Sequence, residues 1–315
     1  MSKEIEAKLE KIPVIRNLVR FLKGIKLNWL EGVTLYELLE IYIIGIAEGA
    51  VGYRAGAIAF SFFMALFPFA LFILNLIPYI PIENFQTDFL RFVEDSVPPN
   101  TYEAIANIIT DILRNSHSGL LSSGFLLSIF LQANGLNAIL GGFENSKHVI
   151  DKRGFFSQYF IALALSLLLS FLLITTVAII VVFEVFLQQT KIQDMFSENI
   201  QILVMSRYIF VMLMILITTS ILLKFGTKRK TKAALISIGS VFTTILIILS
   251  SYFFGIWVVK FSKYNELYGS IGTLLIMMFY IWINCMVLLL GFELNAVINK
   301  HKKRNLVENN ENPNQ

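Results

Sequence analysis

The sequence predicts an all-α, polytopic membrane protein: a bundle of six transmembrane helices, preceded by amphipathic interfacial helices and containing a helical outer loop. Composition is the first reason. Apolar residues make up 56% of the chain and charged residues only 15%, with a mean hydropathy of +0.69, whereas soluble domains carry roughly 25% charged residues. The second reason is the recurrence of apolar runs, because about 18 or more such residues cross a bilayer as a helix.

The six apolar runs define the predicted spans. They are Ala55–Ile77, Gly119–Leu140, Tyr159–Phe183, Tyr208–Leu223, Ala233–Val259 and Tyr268–Ile298. Amides interrupt the second run, and the fourth is short unless it reaches back across Arg207. Charged residues follow Met1 in place of a cleavable signal peptide, so we expect the first span to direct membrane insertion itself.

Residues 1–54 form the predicted interfacial region before the spans. In residues 14–30, Leu18, Phe21, Leu22 and other apolar residues form one helical stripe beside several cations, which is typical of a helix lying on the inner leaflet. Residues 34–50 contain three Glu residues and are short for a span. They are interpreted either as an interfacial or buried elbow helix or as a re-entrant segment.

The predicted transmembrane domain covers residues 55–299 and contains a long outer loop, residues 79–118. Apolar spacing in this loop predicts two short helices separated by Pro98 and Pro99. They either cap the bundle or form a lid that contacts lipid or an envelope partner. Residues 300–315 are polar and rich in Asn, and we expect a disordered tail because they have little apolar surface to bury.

The distribution of charge predicts the orientation. Most of the 26 Lys and Arg residues fall before the first span, between spans two and three, between spans four and five, and after the last span. The loop between the first two spans is acidic by contrast. The positive-inside rule then places both termini in the cytoplasm of a multi-pass plasma (inner) membrane protein. Because these charges flank spans, the net charge of +4 indicates topology and no nucleic-acid partner.

Polar residues within the spans are the candidate substrate path. Polar groups at membrane depth are costly and tend to face a bundle interior or a wet cavity. The candidates are Asn134, Asn137, Ser240, Thr244 and Asn284 along the path, with the carboxylate of Glu144 or Glu293 at its inner mouth. Pro68 removes a backbone donor from the first span and is expected to kink it.

Helix packing is the alternative interpretation of the same residues. Small and polar residues also let helices approach closely and bond to one another. In the last span, Tyr280, Gly291 and Asn295 share one face, whereas Glu293 points roughly to the opposite side. Glu144 lies close enough in sequence to Lys147, Lys152 and Arg153 to be a neutralised interfacial carboxylate.

Catalytic chemistry has little support in this sequence. A metal-dependent nuclease needs grouped His and Asp ligands, but the three His residues are far apart, and Cys285 is the one cysteine. A Walker-type phosphate loop is also missing. We therefore expect no enzymatic activity, metal site or cofactor.

Two segments resemble a known family. They are YRAGAIAFSFFMALFPFALFILNLIP (53–78) and YNELYGSIGTLLIMMFYIWINCMVLLLGFELNAVI (264–298). Their combination of Ala59-Phe60 to Phe67-Pro68, Tyr268 to Gly272 and Gly291 to Ala296 is similar to the YihY/BrkB family of bacterial inner-membrane proteins, once labelled ribonuclease BN. The resemblance covers about residues 34 to 300. It implies six spans, a plasma-membrane location and links to serum resistance and to transport of lipid or lipid-linked material.

Two classes of function follow from the sequence. The first is transport or handling of a lipid or other amphiphile for the cell envelope, with membrane lipids as partners. The second is a structural or assembly role beside an envelope protein, without transport. The substrate, the energy coupling and the oligomeric state stay open.

Overall fold

The architecture is helical throughout almost all of the chain that the structure describes. The computed structural model describes residues 13–27, 33–36, 50–76, 85–96, 118–146, 151–187, 200–226, 234–260 and 270–311, with isolated positions between them. Within these ranges the elements are α1 (Pro13–Gly24), β1 (Lys26–Leu27), β2 (Val33–Thr34), α2 (Ala50–Leu76), α3 (Phe85–Ser96), α4 (Ser118–Glu144), α5 (Phe155–Leu187), α6 (Ile200–Phe225), α7 (Ile238–Lys260) and α8 (Ser270–Glu311). The predicted all-α, polytopic membrane fold is confirmed.

The six predicted spans correspond to helices α2 and α4 to α8. Among the described residues, five helices are long and apolar enough to cross a membrane; the qualifying segments are Leu126–Glu144, Phe155–Ile180, Met205–Phe225, Ile238–Val258 and Leu274–Lys300. The apolar segment in α2, Val51–Leu66, is shorter and is not among these five. The structure thus supports five spans, and the count of six stays a prediction.

The long helices pack in a closed cyclic order. Helix α2 packs on α4, α4 on α5, α5 on α6, α6 on α7, α7 on α8, and α8 returns to α2. Helices α4 and α8 also touch. Backbones of α2 and α4 lie close together, because a Cβ on Gly135 of α4 would be in van der Waals contact, at 3.6 Å, with the Phe62 Cα of α2. The first and last long helices are therefore neighbours.

Most buried side chains lie at one end of this bundle, which we call the basic end because the Lys- and Arg-rich connections lie there. At this end α2, α5 and α7 begin, α4 and α6 end, and α8 passes Lys300. The core there joins Ile58 of α2, Leu140 and Phe143 of α4, and Leu289 and Phe292 of α8. In the other half, described residues such as Phe171, Met212 and Phe253 are exposed, as expected for surfaces that face lipid.

The structure of the region before the bundle agrees in part with the prediction from the sequence. Helix α1 forms within the predicted amphipathic stretch but ends at Gly24 instead of near residue 30, because glycine has a low helix propensity. The chain then forms a short antiparallel pair, in which Lys26 is opposite Thr34. Strand β2 contacts α8. The predicted elbow or re-entrant segment, residues 34–50, lies mostly outside the described residues.

Two further sequence expectations concern the outer loop and the tail. The first outer-loop helix is present as α3, which contacts α5, whereas the second lies mostly outside the described residues. Helix α8 continues to Glu311, so residues 300–311 of the expected disordered tail are helical. Its Lys, Arg, Leu and Glu residues are good helix formers, and extending an existing helix avoids the nucleation cost.

Candidate functional site

An ion pair joins the first and last long helices at the basic end. Arg54 of α2 donates through Nη2 to Glu293 Oε1 of α8, with an N–O distance of 2.7 Å. The two side chains are only 15% and 9% exposed. Glu293 also accepts a hydrogen bond at Oε2 from the Ser146 hydroxyl, at 2.6 Å. Both carboxylate oxygens are thus engaged.

The end of α4 supplies a further contact of this cluster. Arg54 Nη1 donates to the Gly142 carbonyl at 2.9 Å. Carbonyls in the last turn of a helix lack their usual partners, and the Ser146 amide that would continue the helix donates to Phe143 instead. Arg54 therefore satisfies a carbonyl that helix termination leaves free. We call Arg54, Gly142, Ser146 and Glu293 the Arg54–Glu293 cluster.

Close packing surrounds the Arg54–Glu293 cluster. A Cβ on Gly142 would lie 2.7 Å from Ile58 Cδ1, so glycine permits α4 to approach α2. Next to Gly142 and Glu293 in the chain, Phe143 and Phe292 stack with their ring centroids 4.4 Å apart. The ring of Phe143 would also lie 2.4 Å from a Cβ on Gly226, which follows α6. The cluster thus lies beside an apolar contact that includes α4, α8 and the end of α6.

A second polar contact holds α7 against α8 at the basic end. Asn295 accepts a hydrogen bond from the Gly239 amide at 2.9 Å and donates to the Ser237 hydroxyl at 2.7 Å. Gly239 lies in the first turn of α7, where amides have no partner within the helix. One turn before Asn295, a Cβ on Gly291 would overlap the Thr243 hydroxyl at 1.7 Å. Asn295 therefore caps α7 while Gly291 permits its close approach.

Glu144 lies beside Arg153 in the connection from α4 to α5. Glu144 is buried, and its Oε1 accepts a hydrogen bond from the Arg153 backbone amide at 3.3 Å. Burial lowers the pKa of the Arg153 guanidinium, and the negative charge of Glu144 opposes that shift. Among the described residues, Arg153 Nη1 is buried without a hydrogen-bond partner. The interpretation of Glu144 as an interfacial carboxylate neutralised by Lys147, Lys152 and Arg153 stays a prediction, and Lys152 Nζ itself donates to Asn145 Oδ1 at 3.3 Å.

The predicted path residues do not form one continuous cluster. Asn137 accepts a hydrogen bond at Oδ1 from Gln158 Nε2 of α5 at 2.9 Å. Ser240 and Thr244 lie on the buried side of α7, where the Thr244 hydroxyl is 3.1 Å from that of Thr219 in α6. Asn284 donates to the Tyr280 carbonyl in its own helix at 2.8 Å.

Three other predicted residues lie on three different helices. Asn134 is half-buried on α4, and Pro68 lies inside α2. Of the predicted residues in the part of the chain that the structure describes, Glu293 forms an ion pair, with Arg54. Its partner Arg54 and the adjacent Ser146 were missed, although the sequence contained a signal. A carboxylate inside an apolar span needs a cation, and Arg54 borders the apolar part of the first span.

Helix α8 has two different faces, one that carries Glu293 and one that carries Gly291 and Asn295. Its predicted opposite orientation agrees with the structure: Glu293 contacts α2, whereas Gly291 and Asn295 contact α7. Tyr280, on the same predicted stripe, lies 2.6 Å from the Ser251 hydroxyl of α7. The stripe is therefore a packing surface along α7.

A shallow, open apolar groove on the surface of one helix lies away from the Arg54–Glu293 cluster. It has a volume of about 500 Å³ and is lined by Ile174, Thr175, Ala178, Ile179, Val182 and Phe183 of α5. These residues belong to the half of α5 away from the basic end. Within the described part of the chain, no group of three or more His, Cys, Asp and Glu residues is placed to hold a metal ion.

The comparisons with known proteins identify a membrane family. The sequence model of the family described as virulence factor BrkB matches residues 45–315. The chain is 28% identical over 258 residues to the ribonuclease-like protein YfkH of Bacillus subtilis (strain 168), covering 79% of this chain and 90% of that protein. It is 22% identical over 264 residues to a UPF0761 membrane protein of Histophilus somni (strain 129Pt), covering 82% and 89%. No solved structure matches the chain.

The family match agrees with the resemblance of the first and last spans. It covers α2 to α8 and therefore includes every residue of the Arg54–Glu293 cluster. This multi-pass membrane protein belongs to the virulence factor BrkB family.

Proposed function

We propose that the protein transports or otherwise handles a lipid or another amphiphile in the plasma membrane, for the cell envelope, without catalysing a covalent reaction. The observation that carries this proposal is the Arg54–Glu293 ion pair. Charged residues within membrane helices are expensive, and they commonly belong to pathways for substrates or ions. A charged or zwitterionic headgroup could exchange contacts with this pair.

The distribution of polar and apolar surface supports an amphiphile as the substrate class. The headgroup path would use Asn134, Asn137, Ser240, Thr244 and Asn284, with Glu144 and Glu293 at its inner mouth. The apolar groove on α5 would accommodate part of an acyl chain. In this mechanism the tail stays in or beside the bilayer while the headgroup crosses, and Arg54 and Glu293 separate to admit it.

The proposed orientation has both termini in the cytoplasm. The Lys and Arg distribution supports it, because the connections at the basic end contain Lys152, Arg153 and Lys228. The Arg54–Glu293 cluster would then act as a closure on the cytoplasmic side.

A structural or assembly role is the second candidate. Pairing between Asn137 and Gln158, and between Thr219 and Thr244, favours it because these groups bond across helix contacts. An envelope protein would then bind the outer surface of a bundle that these contacts hold rigid. In this role, the polar residues would maintain the fold without forming a path.

Leaflet exchange in vesicles tests the transport proposal. The purified protein would be reconstituted with a fluorescent phospholipid or a fluorescent lipid-linked glycan, and a membrane-impermeant quencher would report the fraction left in the outer leaflet. We expect faster exchange than in protein-free vesicles of the same composition. Unchanged exchange for both probes, in vesicles containing folded protein, would contradict the proposal.

A further inference from the structure

Helix α1 presents apolar and cationic side chains that its contacts with the protein leave exposed. Val19 is 5% exposed and marks the packed side of the helix. Phe21 is 67% exposed. Two positions correspond to about 200° around a helix, so Phe21 points away from the packed side. An exposed Phe on an amphipathic helix is suited to partial insertion into a bilayer interface.

The charges around Phe21 indicate which kind of membrane surface α1 would bind. Arg20 and Lys23 are both exposed, and Lys23 Nζ lies 5.0 Å from the centre of the Tyr36 ring. The chain contains no acidic residue between Glu10 and Glu31. In the same interval its cations are Lys11, Arg16, Arg20, Lys23 and Lys26. A segment that contains cations and no acidic residue complements anionic lipid headgroups.

We propose that α1 is a docking surface for an anionic lipid leaflet, with Phe21 inserted below the headgroups, Arg20 beside phosphates, and Lys23 on the other side of the helix but within reach of the charge of the leaflet. Arg and Lys can place their apolar stems along the lipid while their charges stay among the headgroups. The short β1–β2 pair connects α1 to the bundle, and β2 contacts α8. Docking would therefore fix the bundle relative to one leaflet.

Spin-label accessibility in the full-length protein tests this inference. Cys285, the one native cysteine, would be replaced by Ala, and a label would be attached at position 24, where an added Cβ meets no atom within 4 Å. Labels at position 255 of α7, which is equally open, and at the exposed position 228 provide lipid and water references. Nanodiscs of phosphatidylcholine would be compared with nanodiscs containing phosphatidylglycerol.

We expect anionic nanodiscs to lower the collision rate of a water-soluble nickel chelate with the label at position 24. The Arg20→Gln/Lys23→Gln variant should restore collisions, because two cations at about 1 kcal/mol each correspond to an about thirtyfold lower docking constant. The matched Lys228→Gln/Lys302→Gln variant removes two exposed cations outside α1 and should leave collisions low. Equal collision rates at position 24 in both lipid compositions would overturn the proposal.

Discussion

Arg54 and Glu293 are 239 positions apart in the chain, yet their side chains meet at 2.7 Å between the first and last long helices. The Gly142 carbonyl of α4 accepts a hydrogen bond from Arg54, and Ser146, just after α4, donates one to Glu293. A single cluster therefore joins α2, α4 and α8. Substitution of its two charged residues measures what this junction contributes to stability.

Removal of one charge from the pair should destabilise the fold. We expect Arg54→Met or Glu293→Met to lower the free energy of unfolding by about 3–5 kcal/mol, because either change leaves a mostly buried charge without its counterion. The Arg54→Met/Glu293→Met double variant should be less destabilised than the sum of the single variants. Denaturant unfolding in one detergent measures this coupling. Additive effects would indicate that the pair does not interact in solution.

Contact between α7 and α8 should be sensitive to one methyl group at Gly291. Gly291→Ala should destabilise the protein strongly, because the new Cβ would overlap the Thr243 hydroxyl. Gly255→Ala is the matched control on α7, where an added Cβ meets nothing within 4 Å. It should be neutral or stabilising by up to about 1 kcal/mol. Equal melting temperatures for the two variants would contradict the close approach.

Two amides on the same face of α8 should differ in their contribution to stability. Asn295→Ala removes the partners of the Gly239 amide and the Ser237 hydroxyl, so we expect a loss of about 1–3 kcal/mol. Asn284→Ala removes a bond to a carbonyl of its own helix, and the loss should be about 0.6 kcal/mol or less. Thermal unfolding of both variants in the same detergent provides the comparison. A larger loss at Asn284 would be inconsistent with these contacts.

The proposed headgroup path makes a separate prediction. Replacing Asn137 and Asn284 together with Leu should abolish leaflet exchange while the protein still inserts, because Leu is well tolerated in a span. Gel filtration and melting temperature would establish that the variant is folded before exchange is measured. Normal leaflet exchange by the folded double variant would show that neither amide belongs to the path. A loss of folding would instead favour a packing role.

The proposed orientation can be measured in intact cells. A single cysteine at position 310, in a variant with Cys285 replaced by Ala, should resist a membrane-impermeant maleimide added from outside. It should react once the cells are permeabilised. A cysteine at position 87 in α3, where the exposed Thr87 lies in the predicted outer loop, is the accessible control. Labelling of position 310 in intact cells would reverse the proposed topology.

The sequence predicted helices better than the contacts between them. An apolar run is a local property, and the thickness of the bilayer sets its length, so each predicted span coincides with a helix. The pairing of Arg54 with Glu293 depends instead on α2 and α8 being neighbours, which neither segment reveals alone. A test for opposite charges at membrane depth would have singled out this pair.

The prediction of the substrate path failed to separate two roles for the same polar residues. An amide in a span can face a polar cavity or bond to another helix, and its sequence position is the same in either case. Asn137 bonds to Gln158, while Ser240 and Thr244 lie against α6. The α8 face containing Gly291 and Asn295 carried the same ambiguity, and the structure places both residues against α7.

The position of the ion pair also has a consequence for synthesis of the protein. Arg54 leaves the ribosome 239 residues before Glu293, which corresponds to about 10–50 s at about 5–20 residues per second. During this interval the first turns of α2 carry a cation whose counterion has not been made. We expect Arg54 to stay near the headgroups until α8 inserts, so that arrival of the last helix completes the fold. A truncated nascent chain would then expose an unpaired charge by which quality-control proteases could recognise it.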